Sequence, residues 1–381
     1  MGIKLGDICK FQSGGTPARG NTEYFNGNIP WITTTALNGN NIGEAAAVEW
    51  ITEKAIKESA AKIVPAFSIM VGTRVGVGKV AINTVDMSTS QDIISLIGID
   101  ESIWNKDFLC KFLQGKSKYL NSQARGATIK GIKIDVLSSL ELPDISLEKQ
   151  RHISSIIDAT KKIISSRQYE IQKLDELIKA RFVELFGHQS HNEKSLPYMT
   201  IDDVAEIYLG ITHTPTYVDS GVMFISAKNT SGDFLDLSDV KYISREEFEG
   251  APKGSKPQVN DVLFSRVGSN LGHPVILEEE LELCTFVSLG FLRSKGNVTS
   301  NYLKHWMRDE FFAKQVSEHV KGGGQPNLNT GWLKEFKIIV PDLEEQKMFD
   351  DFCKQVDKSK VIEIYAMRRL KYSLMPGLMV A

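Results

Sequence analysis

The sequence has few cysteines and no long apolar run, and both absences exclude classes of protein. Its four cysteines, Cys9, Cys110, Cys284 and Cys353, are scattered without a Cys-x-x-Cys pair, which argues against a disulfide framework and a zinc site. No run of 18 apolar residues is present to span a membrane, and the opening residues lack the apolar core of a signal peptide. We therefore expect a cytoplasmic protein with reduced thiols and no membrane partner.

An excess of charge of either sign is also missing. The chain has 45 basic and 47 acidic side chains, for a net charge of −2. This balance excludes a strongly basic protein that coats nucleic acid non-specifically, but it allows a local DNA site. Apolar residues make up 42% and charged residues 24%, as in ordinary globular proteins. The length of 381 residues predicts two or three domains.

Catalytic motifs are absent as well. The segment 72–79 resembles a phosphate-binding loop, but it lacks one required glycine and the Ser or Thr after its lysine. No Asn/Asp-Pro-Pro-aromatic loop, expected of an amino-methyltransferase, is found. Neither the Glu-x-Lys phrase at 335–337 nor the pair His188 and His191 has the carboxylates that a metal site needs. The chain is therefore predicted to have no active site and no metal of its own.

An internal repeat organises what is there. Two stretches of helical periodicity, offset by 196 residues, open with nearly the same words at Leu147–Arg151 and Leu343–Lys347. Before each stretch, matched segments follow one another in the same order. They are strand-like phrases (29–34 and 222–227), shorter helices (105–123 and 301–319) and glycine-containing polar loops (125–130 and 321–327).

The repeat predicts a mixed α/β fold of two similar globular units, each followed by a long helix. The predicted boundaries are 1–145 for the first globular unit and 146–187 for its helix, then 188–341 and 342–381 for the second pair. Alternating Val, Ile, Phe and Trp stretches bounded by Gly, Asn and Pro predict short strands in both units. The polar residues after Gly187 predict a linker.

The long helices have the pattern of a coiled coil. Apolar residues recur every seven positions in the first helix, at Ile157, Ile164, Ile171, Ile178 and Leu185. The second helix carries Phe349, Phe352, Leu370 and Leu374, and Pro376 is expected to end it. We expect the helices to pair antiparallel, to hold the units apart and to relate the halves by a pseudo-twofold axis. The alternative is that each helix simply packs on the globular units.

Polar side chains in glycine-rich, turn-like segments recur at matching places in both units. Arg and Lys suit guanine, Asn and Gln suit adenine, and Ser and Thr suit either base, while small residues let backbone N–H groups approach phosphates. The predicted DNA contacts are Gln12, Thr16, Arg19, Thr34, Arg74 and Arg125 in the first unit, and Thr212, His213, Lys228, Arg266, Asn270, Gln325 and Asn327 in the second. For Arg74 and Arg266 the alternative is a salt bridge at a sheet edge.

Taken together, the chain resembles the specificity subunit of type I restriction-modification systems over its whole length. The resemblance rests on the order unit–helix–unit–helix, on Gly15-Thr16-Pro17 and on the Leu-Glu-x-Gln entry to both helices. It also rests on the openings Leu5-Gly6-Asp7-Ile8 and Ile201-Asp202-Asp203-Val204. It implies two target recognition domains, each reading half of a split, asymmetric sequence in double-stranded DNA.

The resemblance also implies partners. The long helices would act as a ruler between half-sites, and the apolar residues named on them would serve as spacer and docking positions for two modification subunits. Those subunits would bind S-adenosylmethionine and methylate adenine at N6. Restriction subunits would add an ATP- and Mg-dependent nuclease, so this chain itself would bind no cofactor.

Two rival functions stay open from the sequence. One is the recognition subunit of a related, type IIB-like restriction enzyme that cuts on both sides of its site. The other is a coiled-coil protein-interaction scaffold without DNA binding. A stand-alone nuclease is disfavoured by the missing metal carboxylates.

Charge differs between the units. Residues 1–145 carry 15 basic and 14 acidic side chains, whereas residues 188–341 carry 15 basic and 20 acidic. This pattern favours a reader of bases that leaves much phosphate neutralisation to partners, and it predicts that the second unit alone binds DNA weakly.

Overall fold

The protein is described by a computed structural model that covers residues 2–126, 130–268, 270–319 and 327–379, with the backbone alone for residues 368 and 371–379. Contacts divide the chain into two compact units. Unit 1 comprises residues 1–168 and 364–381, and unit 2 comprises residues 169–363. Each unit thus contains the start of one long helix and the end of the other. The four-segment division expected from the sequence repeat is a different partition and stays a prediction.

Unit 1 is a mixture of short strands and helices. Its helices are α1 (Leu5–Ile8), α2 (Glu53–Glu58), α3 (Lys106–Gly115), α4 (Ser117–Gln123), α5 (Ile134–Ser138) and the first part of α6 (Leu147–Phe186). Its strands are β1 (Lys10–Ser13), β2 (Phe25–Ile32), β3 (Asn41–Ile42), β4 (Glu49–Ile51), β5 (Ile63–Val64), β6 (Ile69–Gly72), β7 (Val80–Asn83), β8 (Met87–Thr89) and β9 (Ile93–Ile97).

Unit 2 repeats this mixture. Its strands are β10 (Tyr198–Thr200), β11 (Ala205–Leu209), β12 (Tyr217–Val218), β13 (Val222–Ile225), β14 (Lys241–Ile243), β15 (Val262–Ser265), β16 (Pro274–Ile276), β17 (Leu283–Thr285), β18 (Leu289–Ser294) and β19 (Lys337–Ile339). Its helices are α7 (Ile201–Val204), α8 (Arg245–Gly250), α9 (Ser300–Met307), α10 (Glu310–His319), α11 (Thr330–Glu335) and the first part of α12 (Leu343–Met379).

Strand order shows that the units are structural repeats. The larger sheet of unit 1 has the order β1-β9-β6-β7-β3, and unit 2 has β11-β18-β15-β16. In both units these first four strands pair antiparallel. The second sheet has β4-β2-β8-β5 in unit 1 and β12-β14-β13-β17 in unit 2, with a parallel pair at β2–β8 and at β13–β17. The predicted mixed α/β repeat is confirmed.

The core of each unit lies between the larger sheet and the helix pair that follows it. The strands β6 and β15 are buried along their whole length, so their residues form near-continuous apolar runs. Helix α3 begins at Asn105, whose side chain accepts from the N–H of Phe108 (2.8 Å), and α9 begins at Thr299, which accepts from Tyr302 (3.2 Å). Their apolar faces pack into the core clusters.

The two long helices pair antiparallel inside unit 2. Phe182 of α6 contacts Phe349 of α12 with ring centroids 5.4 Å apart. One residue earlier in α6, Arg181 lies over the Phe352 ring, 5.9 Å from its centroid. Further towards the start of α6, Asp175 forms an ion pair with Lys360. The residue numbers of the contacts thus decrease along α6 as they increase along α12, which confirms the antiparallel prediction for this part of the helices.

Helix α12 does not end where the sequence predicted. It continues through Pro376 to Met379, so the expectation that this proline stops the helix is wrong. Proline has a helical φ, and because Pro376 lies in the last turn, the helix has only a few residues to continue after losing this one i→i−4 hydrogen bond. Among the helices of the described ranges, none has an apolar segment long enough to cross a membrane.

Candidate nucleic-acid interface

The loops after β6 and β15 have equivalent backbones but carry different side chains. In unit 1 the N–H of Thr73 donates to the Asp92 carbonyl (2.8 Å), and the Thr73 carbonyl accepts from Ile132 (2.8 Å). In unit 2 Arg266 makes the same two backbone bonds, to Ser288 and from Leu328 (both 2.9 Å). Arg266 therefore corresponds to Thr73.

Arg266 is held by its own unit. Its guanidinium donates to the carbonyls of Leu328 (Nε, 3.2 Å) and Val287 (Nη1, 3.0 Å) and to Oδ1 of Asn327 (Nη2, 3.5 Å). Partial burial lowers the pKa of this arginine. The side chain thus ties the β15 loop to the segment at residues 327–328 and, within the described residues, pairs with carbonyl oxygens and not with a carboxylate; its predicted DNA contact stays a prediction.

Arg74, by contrast, projects outward. Its side chain is 53% exposed, and its Nη1 lies 3.9 Å from Oδ1 of Asp92, at the limit of an ion pair. Arg125 is exposed too, and its backbone exchanges hydrogen bonds with Gly131 in both directions (2.9 and 3.0 Å). Arg74 and Arg125 line one cleft of about 630 Å³. These two predicted contacts are the ones that the structure brings together in unit 1.

The remaining predicted contacts of unit 1 are dispersed. Gln12 lies in β1 and donates to the Ile63 carbonyl (2.8 Å), while Thr16 is exposed. Arg19 forms an ion pair with Glu49 and lies over the rings of Phe25 and Trp31. Thr34 is 4% exposed, so its side chain has no direct access to a base, and its predicted contact does not fit its burial.

The predicted contacts of unit 2 fall on neighbouring loops. Lys228 is exposed in a 3-10 turn at residues 227–230, and Asn270 donates to the carbonyl of Ser231 just after it (3.4 Å). Thr212 is exposed, and the His213 ring lies 3.3 Å from a carboxylate oxygen of Glu247. Asn327 is exposed beside Arg266, and Gln325 lies outside the described residues.

The spacer positions divide into buried and partly buried residues. Ile157, Ile178 and Phe349 are buried within their own units, which places them in the core. The partly buried positions are Ile164, Ile171, Leu185, Phe352 and Leu370. The Leu374 side chain lies outside what the structure describes. Apolar side chains that the long helices expose instead are Ile156, Ile163, Tyr169, Leu177, Met348, Val361, Ile362 and Tyr365.

A matched pair of buried glutamines was missed by the sequence reasoning. In unit 1 Gln150 accepts from the N–H of Asn105 (2.9 Å) and donates to the carbonyls of Ile103 and Ile145 (both 3.1 Å). In unit 2 Gln346 makes the same three bonds, from Thr299 (2.9 Å) and to Asn297 and Pro341 (3.1 and 2.9 Å). Both glutamines fix a long helix to its recognition unit. Their identical place in the Leu-Glu-x-Gln phrases was the available signal.

The described ranges also contain buried cysteines, and Cys353 Sγ lies 3.8 Å from Nε2 of His305. Burial raises the pKa of Cys9 and Cys353 to about 12 and that of Cys110 to about 11, which makes these thiols poor nucleophiles. Within the part of the chain that the structure describes, no group of three or more His, Cys, Asp or Glu is placed to hold a metal ion.

Comparison with known proteins gives consistent matches along the chain. The type I restriction modification DNA specificity domain matches residues 1–176 and again residues 196–367. Two similar relatives come from Methanocaldococcus jannaschii. The type I restriction enzyme MjaIX specificity subunit is 23% identical over 98% of this chain and 91% of the relative. The MjaVIII specificity subunit is 21% identical over 95% and 86%.

Solved structures show the same fold. The type I restriction-modification S subunit from M. genitalium superposes with a TM-score of 0.54 at 14% identity, covering 98% of this chain and 94% of that one. A chain from a structural study of assembly and conformational transition of the type I R-M system gives a TM-score of 0.61 at 17% identity, covering 99% and 95%.

Proposed function

The chain belongs to the type I restriction-modification DNA specificity family and acts in DNA sequence recognition, and from this premise we propose that each unit reads one half of a bipartite, asymmetric site. One observation carries the proposal. The two units share their strand order, yet the loops after β6 and β15 present different polar side chains on equivalent backbones. Two half-sites of different sequence require such a pair of readers. A coiled-coil scaffold without DNA binding does not account for the family match.

The long helices support a spacing role in this proposal. Each helix is fixed to its recognition unit by a buried glutamine, so its direction at that unit is set. Helix α6 has 40 residues, which corresponds to about 60 Å of length. This exceeds one turn of B-DNA, about 34–36 Å. We take the helices to be the ruler between half-sites.

Catalysis belongs to partner subunits in this account. The exposed apolar side chains on α6 and α12, such as Ile156, Ile163 and Ile362, are suited to docking two modification subunits because apolar surface gains free energy when a partner removes it from water. Those subunits would bind S-adenosylmethionine, extrude the target adenine and methylate it at N6. Restriction subunits would supply the ATP- and Mg-dependent nuclease. The complex would act in the cytoplasm.

Methylome sequencing of the host, with the chain present and deleted, tests the proposal. Deletion should abolish methylation at one bipartite adenine motif and leave other motifs methylated. Replacing residues 188–341 with those of another specificity subunit should change only one half of that motif. Retention of every bipartite motif after deletion would contradict the proposal.

A further inference from the structure

Unit 1 contains a cleft built from three chain segments. It is lined by Arg74 after β6, by Gln123 and Arg125 at the end of α4, and by Gly131, Lys133 and Asp135 before and within α5. Backbone hydrogen bonds join these segments, since Arg125 pairs with Gly131 and Ile132 donates to Thr73 (2.8 Å). The walls are therefore held by the backbone independently of the polar side chains that line them.

The cleft has an excess of unpaired positive charge. Within the described ranges, neither Arg125 nor Lys133 has a carboxylate within 4.0 Å, and Arg74 has only the long contact of 3.9 Å with Asp92. Three cations thus share an opening with a single lining carboxylate, that of Asp135. Like charges placed together raise the local potential and favour an anion between them.

Unit 2 carries different side chains at the described counterparts of this cleft. At the repeat offset of 196 residues, Gln123 corresponds to His319 and Val136 to Trp332, and the rings of His319 and Trp332 contact each other in a tilted arrangement with centroids 5.6 Å apart. Lys133 corresponds to Asn329, whose side chain caps α11 by accepting from Gly331 (2.7 Å). Among the described counterparts, unit 2 thus has a neutral side chain where unit 1 has Lys133, while Lys321, the counterpart of Arg125, lies outside the described residues.

We propose that this cleft of unit 1 binds backbone phosphates of the DNA half-site that unit 1 reads, through Arg74, Arg125 and Lys133, with Gln123 as a neutral donor. The inference rests on the proposed function. Guanidinium groups match phosphate oxygens in a bidentate geometry, and an ammonium adds a point charge. Phosphate contacts fix orientation and carry no sequence information, so unit 1 would supply affinity and register that the more acidic unit 2 lacks.

The test measures how DNA affinity depends on salt. The full chain, assembled with its host's modification subunits, is titrated with two duplexes of equal length. One carries the motif that the host methylates, and the other has that motif scrambled. Arg74→Gln, Arg125→Gln and Lys133→Gln should each lower the slope of log affinity against log salt by about 0.9 and weaken both duplexes by the same factor.

Matched variants separate charge from folding. Arg125→Lys should retain the slope, because it keeps the cation. Lys57→Gln, on the exposed helix α2 away from the cleft, should leave both slope and affinity unchanged. Equal melting temperatures for all variants show that the fold is intact, as expected for exposed side chains.

Two results would overturn the inference alone: a triple variant with the wild-type slope, or variants that weaken only the motif duplex, which would indicate base reading. A wild-type complex that shows no preference for the motif duplex would instead overturn the proposed function, and the inference with it.

Discussion

Unit 1 and unit 2 carry different side chains at equivalent loops of the same scaffold. In unit 1 Arg74 is exposed at the edge of a cleft, whereas in unit 2 His319 and Trp332 contact each other at two of the corresponding positions and Arg266 donates to two carbonyls. The strands beneath are ordered alike in both units. The difference indicates that each unit is stabilised by its strands and by the N-terminal ends of its helices. The loops above the sheet are therefore free to vary in charge and size.

The largest expected effect tests whether the helix seam is equally strong in both units. Phe349 is fully buried against the rings of Phe182, Phe186 and His305, and Ile153, its counterpart, is only partly buried. Phe349→Ala should destabilise unit 2 by about 3–5 kcal/mol, and Ile153→Ala should destabilise unit 1 by about 1–2 kcal/mol. Urea unfolding followed by hydrogen exchange of each unit's peptides measures both, and equal losses would remove the asymmetry.

The next prediction concerns what the units share. Gln150→Ala and Gln346→Ala each leave one N–H and two carbonyls without their partner, and both glutamines are almost fully buried. Each substitution should cost about 2–3 kcal/mol in its own unit. Gln172→Ala, on the exposed surface of α6, serves as the control and should cost under about 0.5 kcal/mol. Unequal losses for the two buried glutamines would show that the helix anchors are not equivalent.

A smaller effect separates the two arginines. Arg266→Met removes three hydrogen bonds from the loop of unit 2 and should lower its stability by about 1–2 kcal/mol. Arg74→Met should change the stability of unit 1 by less than about 0.5 kcal/mol but weaken DNA binding. Thermal unfolding of both variants measures the changes in stability, and DNA titration measures the changes in binding. If Arg266→Met changed neither stability nor sequence preference, neither role for this residue would hold.

The smallest expected effect is a dependence on pH confined to unit 2. Burial and the nearby cations of Lys304, Arg308 and Lys360 lower the pKa of His305 well below the usual 6.5. Below that pH the unfolded chain binds a proton that the folded unit does not, so stability present above pH 6.5 is lost as the pH falls. Counted from the helix starts at Asn105 and Thr299, the position of His305 in α9 corresponds to Lys111 in α3 of unit 1.

Urea midpoints at pH 7.0 and 5.5 measure this dependence. His305→Phe should flatten it, since the ring then packs on Phe349 without a titrating group. Asp350, whose pKa burial raises, acts in the opposite direction but at lower pH. An unchanged slope in His305→Phe would assign the pH dependence to other groups.

Much of the fold followed from the sequence because long-period patterns survive in it. The 196-residue offset and the heptads predicted two similar units with matched helices, and the strand orders and helix bounds confirm them. Loops carry no periodicity, and the loop that closes at Gly272 is one residue longer than the loop that closes at Gly78. The equivalence of Arg266 with Thr73 therefore appears only in the backbone hydrogen bonds. Burial of Thr34 likewise depends on tertiary packing that no local pattern shows.

The candidate site was predicted only in part. Arg74 and Arg125 were chosen for their residue type, but nothing in the sequence placed them at one opening with Gln123 and Lys133. That convergence depends on the backbone pairing of Arg125 with Gly131, a long-range consequence of the fold.

Each unit contains parts of both long helices, and this division has a consequence for biosynthesis. Unit 2 is a continuous stretch, residues 169–363, whereas unit 1 combines residues 1–168 with residues 364–381. On the ribosome, the sheets of unit 1 emerge first, but unit 2 is the first to have all its parts. Part of α6 in unit 1 therefore stays uncovered until the ribosome has finished synthesising unit 2. A chain truncated after residue 363 and released from the ribosome should accordingly resist proteolysis within unit 2, whereas residues 147–168 of α6 should still be cleaved.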